Sequence, residues 1–211
     1  MKNIILYGAP AAGKGTQCEL LKELCGYKHI STGQLFRELD DSTEFNRKIH
    51  ETIANGNLID DETTAKLLQN KLETLGNGPI VLDGFPRNLN QAKILDSFFE
   101  NYVVVNLEID EDTALKRVLG RLNCDQCGKI YNIYFKEKTP KEVNKCDICG
   151  ASLSARQDDN AESFKNRFNI YLTNVKDVLD YYESKNVLYK VNALNADETF
   201  SQIKKILNGG D

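Results

Sequence analysis

A chain of 211 residues with 27 lysines and arginines against 31 aspartates and glutamates, and a pI near 5.4, is long enough for one sizeable core with insertions. The acidic balance excludes a general excess of positive charge and so weighs against a surface built to neutralise a polynucleotide backbone, but leaves room for a small anion in a local pocket. No apolar run reaches the roughly 18 residues of a membrane span, and the opening MKNIILYGAP lacks the length of a secretory leader, so a soluble cytoplasmic protein is expected.

In chain order, Ile4 to Tyr7 form a short apolar run that stops at Gly8, and Lys14 to Cys25 carry leucines at helical spacing, so the chain opens strand, loop, helix. Residues 31 to about 60 read as helical and polar, without a strand. Ile80 to Leu82 end in Asp83-Gly84, and Val103 to Ile109 end in Asp110; both suit strands of a sheet covered on its two faces. Asn88 to Asn101 reads as a helix between them, and the acidic cluster 110–112 suits the N-terminus of another running to Arg121. The spacing of Phe164, Phe168, Leu172, Val175, Leu179 and Tyr182 predicts a long amphipathic helix. Val187 to Val191 then reads as a strand before a last helix. Alternating strands and helices imply an α/β fold with a doubly wound parallel sheet. The polar segment 31–60 and the turn-rich segment 122–158 read as inserts on it.

Gly8-Ala9-Pro10-Ala11-Ala12-Gly13-Lys14-Gly15-Thr16 stands between the first strand and first helix, where a G-x-x-x-x-G-K phosphate loop belongs. Its glycines let backbone N–H groups converge, the helix N-terminus adds positive potential, and Lys14 reaches the terminal phosphates. Gly15 follows the lysine, so Thr16 is the hydroxyl candidate. A merely Gly-rich turn explains neither the lysine nor the context.

Cys124, Cys127, Cys146 and Cys149 form two Cys-x-x-Cys pairs separated by eighteen residues, a spacing that suits Zn²⁺ held by four thiolates. Disulfides are disfavoured in a reducing compartment. Thioredoxin-like redox chemistry wants the pair opening a helix after a strand, which neither does. A zinc ribbon that reads nucleic acid is opposed by the insert's charge, six basic residues against five acidic. A four-thiolate site has no open coordination position, so it is structural, stiffening a segment too small to fold on a core of its own.

GAPAAGKGTQ, HISTGQLFRE, VLDGFPRNLNQA, RVLGR, the CxxC-bearing segment and ARQDD occur in an order and spacing that resemble the adenylate kinases over nearly the whole chain. The resemblance implies a P-loop NTPase-type core (1–30, 61–121 and 159–211), a helical NMP-binding insert (31–60) and a zinc-binding lid (122–158). It implies Mg²⁺-dependent conversion of ATP and AMP to two ADP by a monomer without nucleic-acid or membrane partners. A kinase for CMP or UMP, and an ATP-dependent zinc-ribbon module, are the alternatives.

By residue matching, Ala11, Ala12, Gly13, Lys14, Gly15 and Thr16 would cradle ATP, joined by Arg117 near the adenine, Arg121, Ile130 and Tyr131 near the ribose, and Asn195. Thr32, Arg37, Asn57, Leu58, Ile59, Gly84, Phe85, Pro86, Arg87 and Gln91 would form the AMP site, with Gln91 reading the adenine edge through its amide. Arg156 and Arg167 would meet the phosphates, and with Lys14, Arg87 and Arg121 would carry the catalysis. Asp83, with Thr16, would orient Mg²⁺ through water. Arg47 is left as a surface residue, and neither His29 nor His50 has a matching nucleophile, consistent with an acceptor phosphate that is already ionised. Four departures from the family pattern stand out, one being that Val191-Asn192-Ala193-Leu194-Asn195 lacks the usual Asp-Gly. Ala11 replaces a glycine, tolerable while its φ stays negative; Asp60 replaces a threonine; and Asn90 replaces a proline.

Overall fold

The computed structural model describes residues 1–209. The elements run β1 (Asn3–Gly8), α1 (Lys14–Cys25), β2 (Lys28–Ser31), α2 (Thr32–Arg37), α3 (Glu44–Ala54), α4 (Asp61–Thr74), β3 (Ile80–Asp83), α5 (Leu89–Leu95), β4 (Tyr102–Glu108), α6 (Glu111–Leu119), β5 (Arg121–Cys124), β6 (Ile130–Asn132), β7 (Leu153–Ser154), α7 (Ala161–Ser184), β8 (Leu188–Asn192) and α8 (Ala196–Leu207). A five-stranded sheet is ordered β2-β3-β1-β4-β8, and every pairing within it is parallel. The three short strands β5, β6 and β7 form a separate antiparallel sheet.

The strands are nearly continuously apolar because both faces are covered. Ile4 and Leu6 of β1 pack with Cys18 and Leu21 of α1 and with Phe200 and Ile203 of α8. Their neighbours Ile5 and Tyr7 point the other way, against Leu68 of α4, Leu95 of α5 and Tyr182 of α7. The period-two alternation of one strand thus divides the core into two layers. Each fully buried large side chain in them contributes roughly 1.5–3 kcal/mol. A third cluster fastens α6 to α7 through Ala114, Val118, Phe164 and Phe168.

Two segments differ from the reading of the sequence. Lys28–Ser31 is a strand, although KHIS shows one apolar residue and no legible alternation. Its conformation is imposed by ladder pairing with β3 at the sheet edge. The helix expected over 88–101 stops at Leu95, because the amides of Phe98 and Phe99 both turn back to the Leu95 carbonyl. That turn drives Phe99 into the core, and Asn101, at φ 51°, then reverses the chain into β4.

Candidate functional site

The loop after β1 is shaped by two close approaches. A Cβ on Gly8, at φ +134°, would lie 2.5 Å from the Leu107 carbonyl oxygen of the adjacent strand, so only glycine lets the chain leave the sheet there. Gly13, in the left-handed region, then opens α1 with no side-chain cap. The other α-helices described are capped by Ser31, Thr43, Asp60, Asn88, Asp110, Asn160 and Asn195. The N-terminal amides of α1 are therefore left for an anion. Lys14 bends back over the loop and donates to the carbonyls of Gly8 and Ala9, both at 2.8 Å. Burial lowers its pKa, with Asp83 opposing the shift. Ala11 departs from expectation: its φ is +60°, not negative, a left-handed conformation that costs a Cβ-bearing residue about 1–2 kcal/mol.

From this loop a cavity of about 790 Å³ extends between the two inserts, lined by Arg37, Arg87, Arg117, Arg121, Arg156 and Arg167. The last three, together with Arg37 and Arg87, belong to one electrostatic cluster with Asp83, Asp158 and Asp159. Arg121 donates Nε to Asp159 at 2.6 Å and closes a second bond to the same carboxylate. Arg167 donates to the Asp158 side chain and backbone, both at 2.7 Å. Burial works against the charge on Arg121, yet Asp159 raises its pKa. Arg156 lacks such a partner: burial and the neighbouring Arg121 and Arg37 push it down to about 10, and its one bond is to Asn123 Oδ1 at 3.2 Å. Burial likewise lowers Arg37 and Arg87. Counting Lys14, six cations face three carboxylates, a surplus suited to several phosphate oxygens. Arg117 is apart from this cluster, donating to the Ala193 and Leu194 carbonyls at 2.9 Å and lying 5.8 Å over the Phe135 ring.

At the other end of the cavity stand Thr32, Asn57, Leu58, Ile59, Gly84, Pro86 and Gln91. Gly84 passes so close to Thr32 that a Cβ would sit 2.6 Å from its hydroxyl. Phe85 takes a different place, 1% exposed in the core, so of the segment 84–87 it supplies no side chain to the cavity. Gln91 is more committed than a free base-reading amide: Oε1 accepts from the Arg87 N–H at 2.7 Å and Nε2 donates to Asp61 at 2.8 Å. One lone pair and one N–H remain. Asp61 also accepts from Asn88 and from Asn90, which accounts for the asparagine at 90, while Asp60 serves as the N-cap of α4 through Thr63 N–H.

In the small sheet, the four cysteine sulfurs lie within 4.8 Å of one another, Cys124 facing Cys149 at 3.4 Å and Cys127 facing Cys146 at 3.5 Å. Sulfurs of a tetrahedral zinc site are separated by roughly 3.8 Å, given Zn–S bonds of about 2.3 Å. Gly128 and Gly150, both at positive φ, reverse the chain behind each pair. Burial opposes ionisation of Cys146, but bonds from the Tyr131 hydroxyl and the amides of Cys149 and Ile148 bring its thiol down to about 6. These donors to sulfur are what a thiolate ligand set requires, so the residues fit zinc.

Tyr131 lines the cavity with its hydroxyl already engaged, 3.5 Å from Cys146 Sγ and accepting from Asp147 N–H at 2.7 Å, so it is the ring and not the hydroxyl that is left to face a ligand. Ile130 does face the loop, 3.6 Å from where a Cβ on Gly15 would be. Asn195 lines the cavity, but its Oδ1 is engaged capping α8. Thr16 Oγ1 accepts from Lys138 at 3.1 Å. Neither Lys138 nor Phe135 was legible as a site residue, since both lie in an irregular stretch without periodicity. Asp61 was hidden as an ordinary acidic residue of a helix's first turn.

Comparison with known proteins agrees with this geometry. The adenylate kinase family model matches residues 6–187. An adenylate kinase of Borrelia turicatae is 39% identical over 206 residues, covering 97% of this chain and 96% of its own. Another, of Thermosipho africanus, is 39% identical with 98% of each chain covered, and one of Elusimicrobium minutum is 39% identical over 97% of this chain and 98% of its own. With a phosphate loop, a paired second pocket and near-complete coverage by such relatives, the chain belongs to the adenylate kinase family.

Proposed function

We propose that this chain performs the reversible conversion of ATP and AMP to two ADP with the residues gathered around this cavity. Family membership makes it a phosphotransferase. The observation that carries the residue assignment is the surplus of six cations over three carboxylates between the phosphate loop and the Gln91 pocket. ATP is held with its phosphates against the free amides of α1 and Lys14, its base beside Arg117 and Phe135. AMP sits between Thr32, Arg37, residues 57–59 and Gln91, whose remaining lone pair and N–H suit the adenine edge.

Transfer forms a bond from an AMP phosphate oxygen to the γ-phosphorus and breaks the bond from that phosphorus to the β,γ-bridging oxygen, leaving the charge on the new ADP. Lys14, Arg87, Arg121, Arg156 and Arg167 neutralise the oxygens as charge shifts along this line. No base is needed, because the attacking phosphate is ionised near neutral pH. Mg²⁺ bound with ATP, oriented by Asp83 and the Thr16 hydroxyl, supplies charge neutralisation on the phosphates. The inserts 31–60 and 122–158 close over AMP and ATP respectively and exclude water as a competing acceptor.

Zn²⁺ on Cys124, Cys127, Cys146 and Cys149 fixes the shape of the lid that carries Arg156. A cytoplasmic monomer is the proposed working state, supported by a family that acts on free nucleotides. No helix among the described residues is long and apolar enough to cross a membrane. Purified protein given Mg²⁺, ATP and each of AMP, CMP, UMP and GMP should form diphosphate fastest with AMP. Preference for a pyrimidine monophosphate would overturn the Gln91 assignment, and no product with any acceptor would overturn the whole.

A further inference from the structure

Beneath the phosphate loop lies a second constellation of metal-binding side chains that the transfer reaction does not use as a set. Cys18 of α1, His29 of β2 and Asp83 of β3 bring a sulfur, an imidazole nitrogen and a carboxylate oxygen within 4.8 Å of one another. The arrangement follows from the sheet. Ser31 is paired with Asp83 and His29 with Val81, so His29 and Asp83 project from the same face as diagonal neighbours. This is the face that α1 covers, with Cys18 packed in the same cluster as Val81.

We propose that Cys18, His29 and Asp83 form an inhibitory site for a borderline-soft divalent ion of the Zn²⁺ class. His29 Nε2 is buried without a hydrogen-bond partner among the described residues, an unmet need that a metal bond satisfies. Ligand atoms of a tetrahedral ion stand roughly 3.5 Å apart, so small rotamer shifts draw these three together. His29 and Asp83 both border the cavity, which gives the ion an entry path and a water for its fourth position. Binding expels the Cys18 proton to solvent. The resulting thiolate, the carboxylate and a neutral imidazole balance a dication, so the buried assembly carries no net charge.

Lys14 faces Cys18 and Asp83, Lys22 faces His29, and Arg87, Arg37 and Arg121 face Asp83 from the cavity side; Lys14 is turned to the loop carbonyls, and an ion whose charge its own ligands cancel adds no net charge beside these cations. The thiolate discriminates against Mg²⁺, a hard ion that takes oxygen ligands. Inhibition rests on the reading of Asp83 as the carboxylate that orients ATP-bound Mg²⁺, since an ion held by Cys18 and His29 withdraws it.

The test is zinc stoichiometry by equilibrium dialysis on full-length protein, read beside the activity in Mg²⁺. Wild type should take a second equivalent beyond the four-cysteine site, whereas C18A and H29Q should each take only the first. Activity should fall as the second equivalent binds, and C18A should need at least roughly 10- to 100-fold more zinc for the same loss, the scale on which even an outer-shell partner's loss weakens metal binding. If C18A fails to fold, C18S tests the same thiol with its volume nearly kept. A wild type that stops at one equivalent, or a second equivalent equally present in C18A and H29Q, overturns the site. A second equivalent that is lost in both variants yet does not inhibit upholds the site and overturns the role given to Asp83.

Discussion

Asp159 offers the sharpest test of how the cation cluster is held together. Its side chain is 1% exposed and that of Arg121 17%, and Arg121 makes both of its carboxylate bonds to this residue. Asp159→Asn keeps the shape and one acceptor but deletes the charge, leaving Arg121, Arg156 and Arg167 facing one another with Asp158 as the remaining close carboxylate. Breaking a sealed ion pair costs about 3–5 kcal/mol. Arg121 borders the cavity and regains some hydration, which brings the expected loss to about 2 kcal/mol. For a chain of this size that is a fall in Tm of about 4–8 °C, measurable by calorimetry. With both nucleotides saturating, phosphate oxygens supply the missing negative charge, so the gap between variant and wild type should narrow. A variant melting within about 1 °C of wild type, or a gap that widens with nucleotide, would refute the reasoning.

At the acceptor end, Asp61→Ala removes the carboxylate that accepts from Asn88, Asn90 and Gln91, so the Gln91 amide loses its fixed orientation. One misplaced hydrogen bond of about 1.4 kcal/mol corresponds to a roughly tenfold rise in KM for AMP, with the KM for ATP unchanged; steady-state kinetics with each substrate varied separates the two. Chelating the lid metal should lower Tm while leaving the sheet core folded, checked by circular dichroism after metal analysis; an unchanged melt would contradict a structural zinc. Nucleotide affinity should fall as pH rises from 8 towards about 10, the value at which Arg156 gives up its proton, with lowered Lys14 adding to the loss. The sign follows from the charged forms being the phosphate-binding ones, and AMP itself, with a second pKa of about 6, is fully ionised throughout. Calorimetric titration at stepped pH checks it, and constant affinity would count against these two cations.

The parallel sheet was readable because its central strands are apolar runs ended by Gly8, Asp83 and Asp110, and the long helix because its apolar stripe from Phe164 to Tyr182 recurs over about five turns. β2 was unreadable because its conformation comes from its neighbour and not from KHIS. The phosphate loop and the four cysteines were legible since fixed spacing is itself the chemistry there. By contrast, Gln91 was legible only as a residue type: its bond to Asp61 comes from a segment thirty residues away in sequence. Lys138 meets Thr16 across 122 positions, a contact no local pattern announces. The contact of the Tyr131 hydroxyl with Cys146 was unreadable for a related reason, because a tyrosine beside a nucleotide pocket and one bracing a sulfur cluster look the same in sequence.

The handedness of the backbone at Ala11 bears on what this loop tolerates under mutation. With φ at +60°, the position ranks replacements by how readily they turn left, not by size or polarity. Glycine and asparagine enter easily, whereas valine and isoleucine, though chemically nearer to alanine, are excluded by their branched Cβ. In a saturation library the usual conservative-to-radical scale would therefore run backwards at this one residue.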